Sequence, residues 1–363
     1  MHGGDIYNNE IEYDFSVNIN PFGPYEEIIS AAKKAASDLT VYPQYEAAKL
    51  REKIALCHGV NVENVCVTNG ASEAINAIIK NRYITDVIIE TPSFYGYEKS
   101  VHKEQQLYTY TRNSFLKLNE NLIKRNSVLV IGNPSNPTGE YTDNFIIDSL
   151  YKRVKASGSL LLVDESFLPL SDYYSKSLIN VIKEDPDYYD RLIIVRSFTK
   201  TFAIPSVRVG YFISTNERIV NSIMNELPEW NVSCIAQVCA MESLNHIDRI
   251  KDDVIRIRSL RSKLTNELNQ LGCLVLESHT NYVLFAADSC LYERLLNKKI
   301  LIRDLSDYRG IDEIKEKLLC NNISSEAYYN VSRLSLFRVC VKKEKENAIL
   351  INAIKEVLGE INY

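Results

Sequence analysis

The feature that most constrains this chain is a series of short apolar runs between residues 65 and 195. They are Val65-Cys66-Val67-Thr68, Val87-Ile88-Ile89-Glu90, Ser127-Val128-Leu129-Val130-Ile131, Leu160-Leu161-Leu162-Val163 and Leu192-Ile193-Ile194-Val195. A strand with one wet face alternates apolar and polar residues, whereas a strand covered on both faces reads as a continuous apolar run. Helix-compatible segments separate most of the runs. That order predicts an α/β protein with a mainly parallel sheet covered on both sides.

In such sheets, binding groups collect beyond the carboxyl ends of the strands. Asn133-Pro134-Ser135-Asn136-Pro137-Thr138-Gly139 follows one run, and Asp164-Glu165-Ser166-Phe167 follows the next. After the last run comes Ser197-Phe198-Thr199-Lys200, with Arg208-Val209-Gly210 shortly behind. Two hydroxyls, a lysine and an arginine can grip an anion from several sides. A lysine enclosed beside another cation loses part of its preference for the charged form and becomes a usable amine nucleophile. Hydroxyls and a guanidinium suit a phosphate. Pyridoxal phosphate, carried as a Schiff base, needs both an amine and a phosphate grip. The first run leads into Asn69-Gly70-Ala71-Ser72, a glycine turn opening a helix. Its free N–H groups and dipole make an anion site, although a tight turn alone would have the same sequence.

The remaining chain frames this core. Its 363 residues allow two domains, with expected divisions at 1–45 (arm and start of a small domain), 46–240 (large, cofactor-binding) and 241–363 (C-terminal small domain). Asp14–Pro24 is extended, punctuated by Pro and Gly, and carries Asn18 and Asn20. Helices are expected over Tyr25–Asp38 and Tyr45–His58. After Tyr211–Ser214 a long helical stretch, broken near Pro228, is expected to lead into a helix over Asp248–Leu271. Strands near Tyr282–Phe285 and Leu336–Val341 and a final helix over Lys343–Leu358 complete an α+β domain.

A net charge of -5 with no basic run argues against nucleic-acid binding. No apolar stretch reaches membrane-spanning length, and the first residues are not expected to act as a signal peptide. The eight cysteines include no CxxC pair. Reduced thiols in a cytoplasmic protein are expected.

Taken together, Asn136-Pro-Thr-Gly, Asp164-Glu-Ser-Phe and Ser197-Phe-Thr-Lys200 with Arg208-Val-Gly210 resemble fold-type I pyridoxal-phosphate enzymes of the class II aminotransferase group. Within it, the His2-Gly3-Gly4 start, Asp14-Phe-Ser-Val-Asn-Ile-Asn-Pro and Ile300-Leu301-Ile302-Arg303 resemble threonine-phosphate decarboxylase, a relative of histidinol-phosphate aminotransferase. The resemblance implies a seven-stranded large-domain sheet beside a smaller α+β domain. It implies that Lys200 carries the cofactor and moves protons, that Asp164 pairs with its pyridine nitrogen, and that Asn136 bonds its phenolic oxygen. Phe94 would stack on the ring, and Ala71, Ser72, Ser197, Thr199 and Arg208 would hold the phosphate. Tyr42 would reach the phosphate of a second subunit, making a homodimer with composite sites. Arg338 would grip the substrate carboxylate, and Arg303 matches a second arginine of the decarboxylase.

Two departures from the group's pattern stand out. Ser206 replaces a glycine two residues before the phosphate arginine, so a left-handed turn there would be strained. Phe167 replaces the tyrosine that the aminotransferases carry three residues after the aspartate; the decarboxylase has phenylalanine at that place. The resemblance therefore implies decarboxylation of a phosphorylated amino acid such as threonine phosphate, with histidinol-phosphate transamination as the alternative. A substrate phosphate needs donors outside the cofactor's own cup. The arm, with His2, the N–H groups of Gly3 and Gly4, and Asn20, is expected to provide them.

Overall fold

The computed structural model describes residues 4–37, 39–112, 122–321 and 333–361. The chain opens with β1 (Tyr13–Asp14), α1 (Glu26–Ala35) and α2 (Ala48–His58). Seven strands then build one sheet: β2 (Val65–Thr68), β3 (Asp86–Thr91), β4 (Gln106–Thr111), β5 (Ser127–Gly132), β6 (Leu160–Asp164), β7 (Leu192–Ser197) and β8 (Gly210–Ile213). Their order is β2-β8-β7-β6-β5-β3-β4. β8 runs against both its neighbours, and the pairs from β7 to β4 are all parallel.

The apolar runs explain why this sheet is the centre. Every residue of β2, β3, β5, β7 and β8 is buried. Their side chains alternate between two cores: Ile88, Leu129, Leu161 and Ile194 on one face, and Val87, Val128, Leu162 and Ile193 on the other. β4 escapes the sequence reading because it is an edge strand. Its Gln106-Leu-Tyr-Thr-Tyr-Thr sequence is polar and half exposed, with one neighbour only.

The connecting helices are α3 (Ala71–Ile79), α4 (Tyr95–Lys99), α5 (Asn144–Ser157), α6 (Leu178–Ile182), α7 (Phe198–Thr201) and α8 (Glu217–Met224). The long helical stretch expected after Ser214 is three helices: α8, α9 (Cys234–Asn245) and α10 (Arg249–Gln270). Side-chain caps divide them. Asn216 accepts from the Arg218 and Ile219 N–H groups to start α8, and Ser233 accepts from Ala236 to start α9. Pro228 lies in the break. The helix expected from Tyr45 begins instead at Ala48, because Glu46 and Ala47 are left-handed (φ 50° and 49°).

The rest is β9 (Leu274–Val275), β10 (Tyr282–Asp288), α11 (Leu291–Asn297), β11 (Ile300–Leu301), β12 (Arg303–Asp304), α12 (Ile311–Asn321), β13 (Leu334–Cys340) and α13 (Glu344–Ile361). β12-β13-β10-β9 form an antiparallel sheet. The arm is stitched to this smaller lobe: β1 pairs with β11, Phe15 is buried in its core, and the Cys340 N–H donates to Phe15 O at 2.8 Å. All eight cysteines are free thiols. Among the described residues, no helix is long and apolar enough to cross a membrane.

Candidate active site

The carboxyl ends of β5, β6 and β7, the start of α3 and the facing edge of the small sheet enclose a cavity of about 520 Å³. Lys200, Asp164, Asn136, Phe94, Ala71, Ser72, Ser197, Thr199, Arg208, Arg303 and Arg338 all line it. The parallel topology gathers Asn136, Asp164, Ser197, Thr199 and Lys200, since β5, β6 and β7 deliver their ends to the same rim, while Arg303 and Arg338 come from the antiparallel small sheet.

Lys200 sits on α7 with Nζ 5.9 Å from the centre of the Phe167 ring. Enclosure, reinforced by the positive charges of Arg338 and Arg208 and opposed by Asp164, brings its amine from 10.5 down to about 8. Asp164 ends β6 and is buried. Tyr97 donates its hydroxyl to Oδ2 at 2.8 Å, and the Ser166 N–H donates to Oδ1 at 2.9 Å. Burial pushes the Asp164 carboxyl up, while these two donors and Lys200 act against the rise. Burial beside Asp164 holds the Tyr97 phenol far above its usual range, so it serves as a donor. Gly132 makes room for that hydroxyl: a Cβ there would stand 3.3 Å from it.

An anion cup lies at the other end. Gly70 caps α3 with φ 78° and ψ 162°. A side chain on Gly70 would meet Arg208 Nη2 at 2.5 Å, and one on Gly210 would meet the Ala71 nitrogen at 2.5 Å. Both glycines thus keep N–H groups and guanidinium close together. Ser197 Oγ and Thr199 Oγ1 are 2.6 Å apart beside them. The strain expected at Ser206 falls elsewhere: the left-handed residues are Ala203 (φ 54°) and Arg208 (φ 58°). The chain reverses at the end of α7 and again at Arg208, so Ser206 keeps ordinary geometry.

Across the cavity, Arg338 on β13 is buried, donates from Nη1 to Asn136 Oδ1, and donates from Nη2 to Ser16 O at 2.8 Å. With its amide oxygen turned toward the guanidinium, Asn18 accepts from Nε at 3.2 Å and Nη1 at 3.3 Å. Arg303 stands directly opposite Arg338 across the β12–β13 ladder. It donates to Tyr308 Oη at 3.2 Å and lies over that ring at 5.4 Å. Phe94 packs edge-on to Tyr97 with centroids 5.5 Å apart. Its ring covers Gly96, where a Cβ would come within 2.2 Å.

Not every expected ligand arrives. Asn20 is buried away from the cavity: its Nδ2 donates to Thr201 O at 3.0 Å and to Asp253 Oδ2 at 2.7 Å. Its amide is thus consumed within the protein, and Asn18 is the arm asparagine that reaches the cavity. The Gly4 N–H is also committed, to Ser16 Oγ at 2.7 Å. His2 and Gly3 lie outside the described residues. Tyr42 is not in the cavity of its own chain. It is 76% exposed and its ring is tilted against that of Trp230 with centroids 5.1 Å apart. The sequence reading missed Tyr97 and Tyr308. A tyrosine three residues after Phe94 lies on the same face of a helical turn, which was the available signal for Tyr97. Tyr308 had none, because it follows a two-residue strand in a loop.

An enclosed amine near neutrality, a fixed carboxylate and an anion cup fit a phosphorylated aldehyde with a basic ring nitrogen. Known proteins agree with that fit. The family model for aminotransferase class I and II matches residues 10–354. A protein named "Putative threonine-phosphate decarboxylase" from Caldanaerobacter subterraneus subsp. tengcongensis is 29% identical, over 99% of this chain and 94% of its own. A histidinol-phosphate aminotransferase from Thermoanaerobacter sp. (strain X514) is 27% identical, over 98% and 95%. The histidinol-phosphate aminotransferase structure from Clostridium acetobutylicum superposes with a TM-score of 0.81 at 25% identity, covering 96% of this chain and 99% of that one. The chain therefore belongs to the aminotransferase class I and II family, and its cofactor is pyridoxal 5'-phosphate.

Proposed function

We propose that the protein removes CO2 from an O-phosphorylated amino acid, with threonine phosphate as the leading substrate. Pyridoxal phosphate, when bound, supplies an electron sink for the pair left at the substrate's Cα. Lys200 would hold the cofactor, Asp164, its carboxylate fixed by Tyr97, would face the ring nitrogen, and Asn136 would bond the phenolic oxygen. Phe94, which lines the cavity, would lie against the ring. Ser197, Thr199, Arg208 and the N–H groups of Ala71 and Ser72 take its phosphate. Arg338, with Arg303 backed by Tyr308, would hold the substrate carboxylate. Loss of CO2 would leave the bonding pair at Cα, and Lys200 Nζ, once the substrate amine has displaced it, would deliver a proton there. The arm residues His2 and Gly3 would receive the substrate's own phosphate.

Phe167 carries this reading. Its ring closes the cavity beside Lys200 where the group's aminotransferases present a tyrosine hydroxyl. The nearby Tyr282 does not replace that hydroxyl, since it donates to Ser135 O at 2.7 Å. Transamination is the second reading, favoured by the name of the Thermoanaerobacter relative. It differs in which bond at Cα is broken and in needing an acceptor keto acid.

Incubation with threonine phosphate should release one CO2 per substrate consumed, without 2-oxoglutarate. Turnover of histidinol phosphate that requires 2-oxoglutarate and releases no CO2, with threonine phosphate inert, would overturn the proposal.

The active unit is proposed to be a homodimer in which Tyr42 serves the partner's cup. An exposed apolar group around it supports this: Leu39, Val41, Tyr42, Tyr45 and Trp230 are all among the exposed large hydrophobics.

A further inference from the structure

Helix α7, which carries Lys200, is only four residues long and ends inside the protein. Its last carbonyls need donors that water cannot supply. Two come from its own continuation: the Ala203 N–H reaches Lys200 O at 3.4 Å, and the Ile204 N–H reaches Thr199 O at 3.2 Å. This is the paired closure normally made with glycine in the left-handed position. Here that position is Ala203 at φ 54°, a conformation that costs a residue with a Cβ about 1 kcal/mol.

The arm completes the closure. The Asn20 N–H donates to Lys200 O at 3.0 Å, and Asn20 Nδ2 donates to Thr201 O at 3.0 Å. The same Nδ2 donates to Asp253 Oδ2 at 2.7 Å, and Tyr25 donates its hydroxyl to that oxygen, also at 2.7 Å. Asp253 belongs to α10, is 4% exposed, and faces Arg256 at 3.7 Å on its other oxygen. The arm packs hard against the reversal, for a side chain on Gly23 would meet Phe202 O at 2.8 Å and Ala203 Cβ at 3.0 Å.

We propose that Asn20 is a positioning residue for Lys200. It ties the strained end of α7 to Asp253 on α10, so that the lysine enters the cavity from a fixed backbone. The inference goes beyond the proposed reaction and is indifferent to which Cα bond is broken. None of the charged groups that shift the Lys200 amine, namely Arg338, Arg208 and Asp164, is a hydrogen-bond partner of Asn20, whose N–H and side-chain bonds go to Lys200 O, Thr201 O and Asp253 and come from Phe22. Any change in the amine therefore reports its position.

Two readouts separate positioning from mere support. Enzyme stripped of cofactor is mixed with pyridoxal phosphate, and uptake is followed by visible absorbance against pH. In Asn20→Ala the pH midpoint should move upward from about 8 by at least about half a unit, because a loosened lysine regains water. In the reloaded enzyme, kcat should fall about tenfold with KM within about twofold, as expected for a misplaced catalytic group. Asp253→Asn should move both readouts the same way by less. Ala203→Gly added to Asn20→Ala should recover part of each, since glycine removes the left-handed strain. An unmoved midpoint and unchanged kcat, with only a lower melting temperature, would overturn the proposal. If Asn20→Ala does not fold, Asp253→Asn decides the matter by the same two readouts.

Discussion

A lysine amine at about 8 is half neutral at a pH where a surface lysine is almost wholly charged. Only the neutral amine has a lone pair to attack the cofactor's aldehyde. The value in the folded protein is depressed, so the ammonium dominates below it and is lost as pH rises through it. Cofactor capture should therefore speed up about tenfold per pH unit below this value and level off above it. Stopped-flow absorbance on cofactor-stripped enzyme measures this. A rise continuing undiminished to pH 10 would mean that Lys200 is not held among these cations. Lys200→Ala should show no covalent cofactor absorbance at any pH. Retained absorbance that borohydride fixes on another lysine would remove Lys200 from the role.

At the scale of elements, α3 and β8 meet with no room for a side chain at Gly210. A methyl on Gly210 would meet the Ala71 nitrogen at 2.5 Å, the Gly70 carbonyl carbon at 2.8 Å and the Arg196 oxygen at 2.9 Å. All three are backbone atoms, so no rotamer change relieves the contact. Gly210→Ala should push the start of α3 off the sheet, costing about 1–3 kcal/mol of stability and weakening pyridoxal-phosphate binding about tenfold or more. Gly359→Ala is the matched control: it is exposed on α13 with nothing within 4 Å of the added carbon, and should be neutral or slightly stabilising. Wild-type cofactor affinity in Gly210→Ala, by equilibrium dialysis, would show that this contact does not shape the cup.

For the whole molecule, the prediction concerns assembly. Tyr42 stands on the surface next to Trp230, with Tyr45 also within ring contact of that indole. If this face meets a second copy, sedimentation should give a dimer. Mixing inactive Lys200→Ala with a defective Tyr42→Phe protein should restore activity through heterodimers in which one site carries neither lesion. An active monomer, or strictly additive activity after subunit exchange, would exclude composite sites.

The boundary between what sequence and structure decided is physical. Runs such as Leu160–Val163 are apolar at every position, and only a sheet covered on both faces buries such a run completely, so the α/β class was readable in one dimension. Because parallel strands deliver their ends to one rim, Asp164, Asn136 and the Ser197–Arg208 stretch can be grouped from the sequence alone. The structure does bring them to one cavity. Edge strand β4 was illegible, since a strand with one neighbour needs little apolar surface. The division of α8, α9 and α10 turned on single capping residues, Asn216 and Ser233, whose signals are weaker than periodicity. The two asparagines of the arm mark the limit most clearly. Asn18 and Asn20 have the same chemistry and lie two residues apart, and the sequence pointed to Asn20 as the ligand. Tertiary packing alone sends Asn18 to the cavity and Asn20 to the buried end of α7. Which donor a buried carbonyl receives depends on chain segments more than 180 residues apart, since Asn20 and Thr201 are separated by 181 positions. No local pattern in the sequence records that.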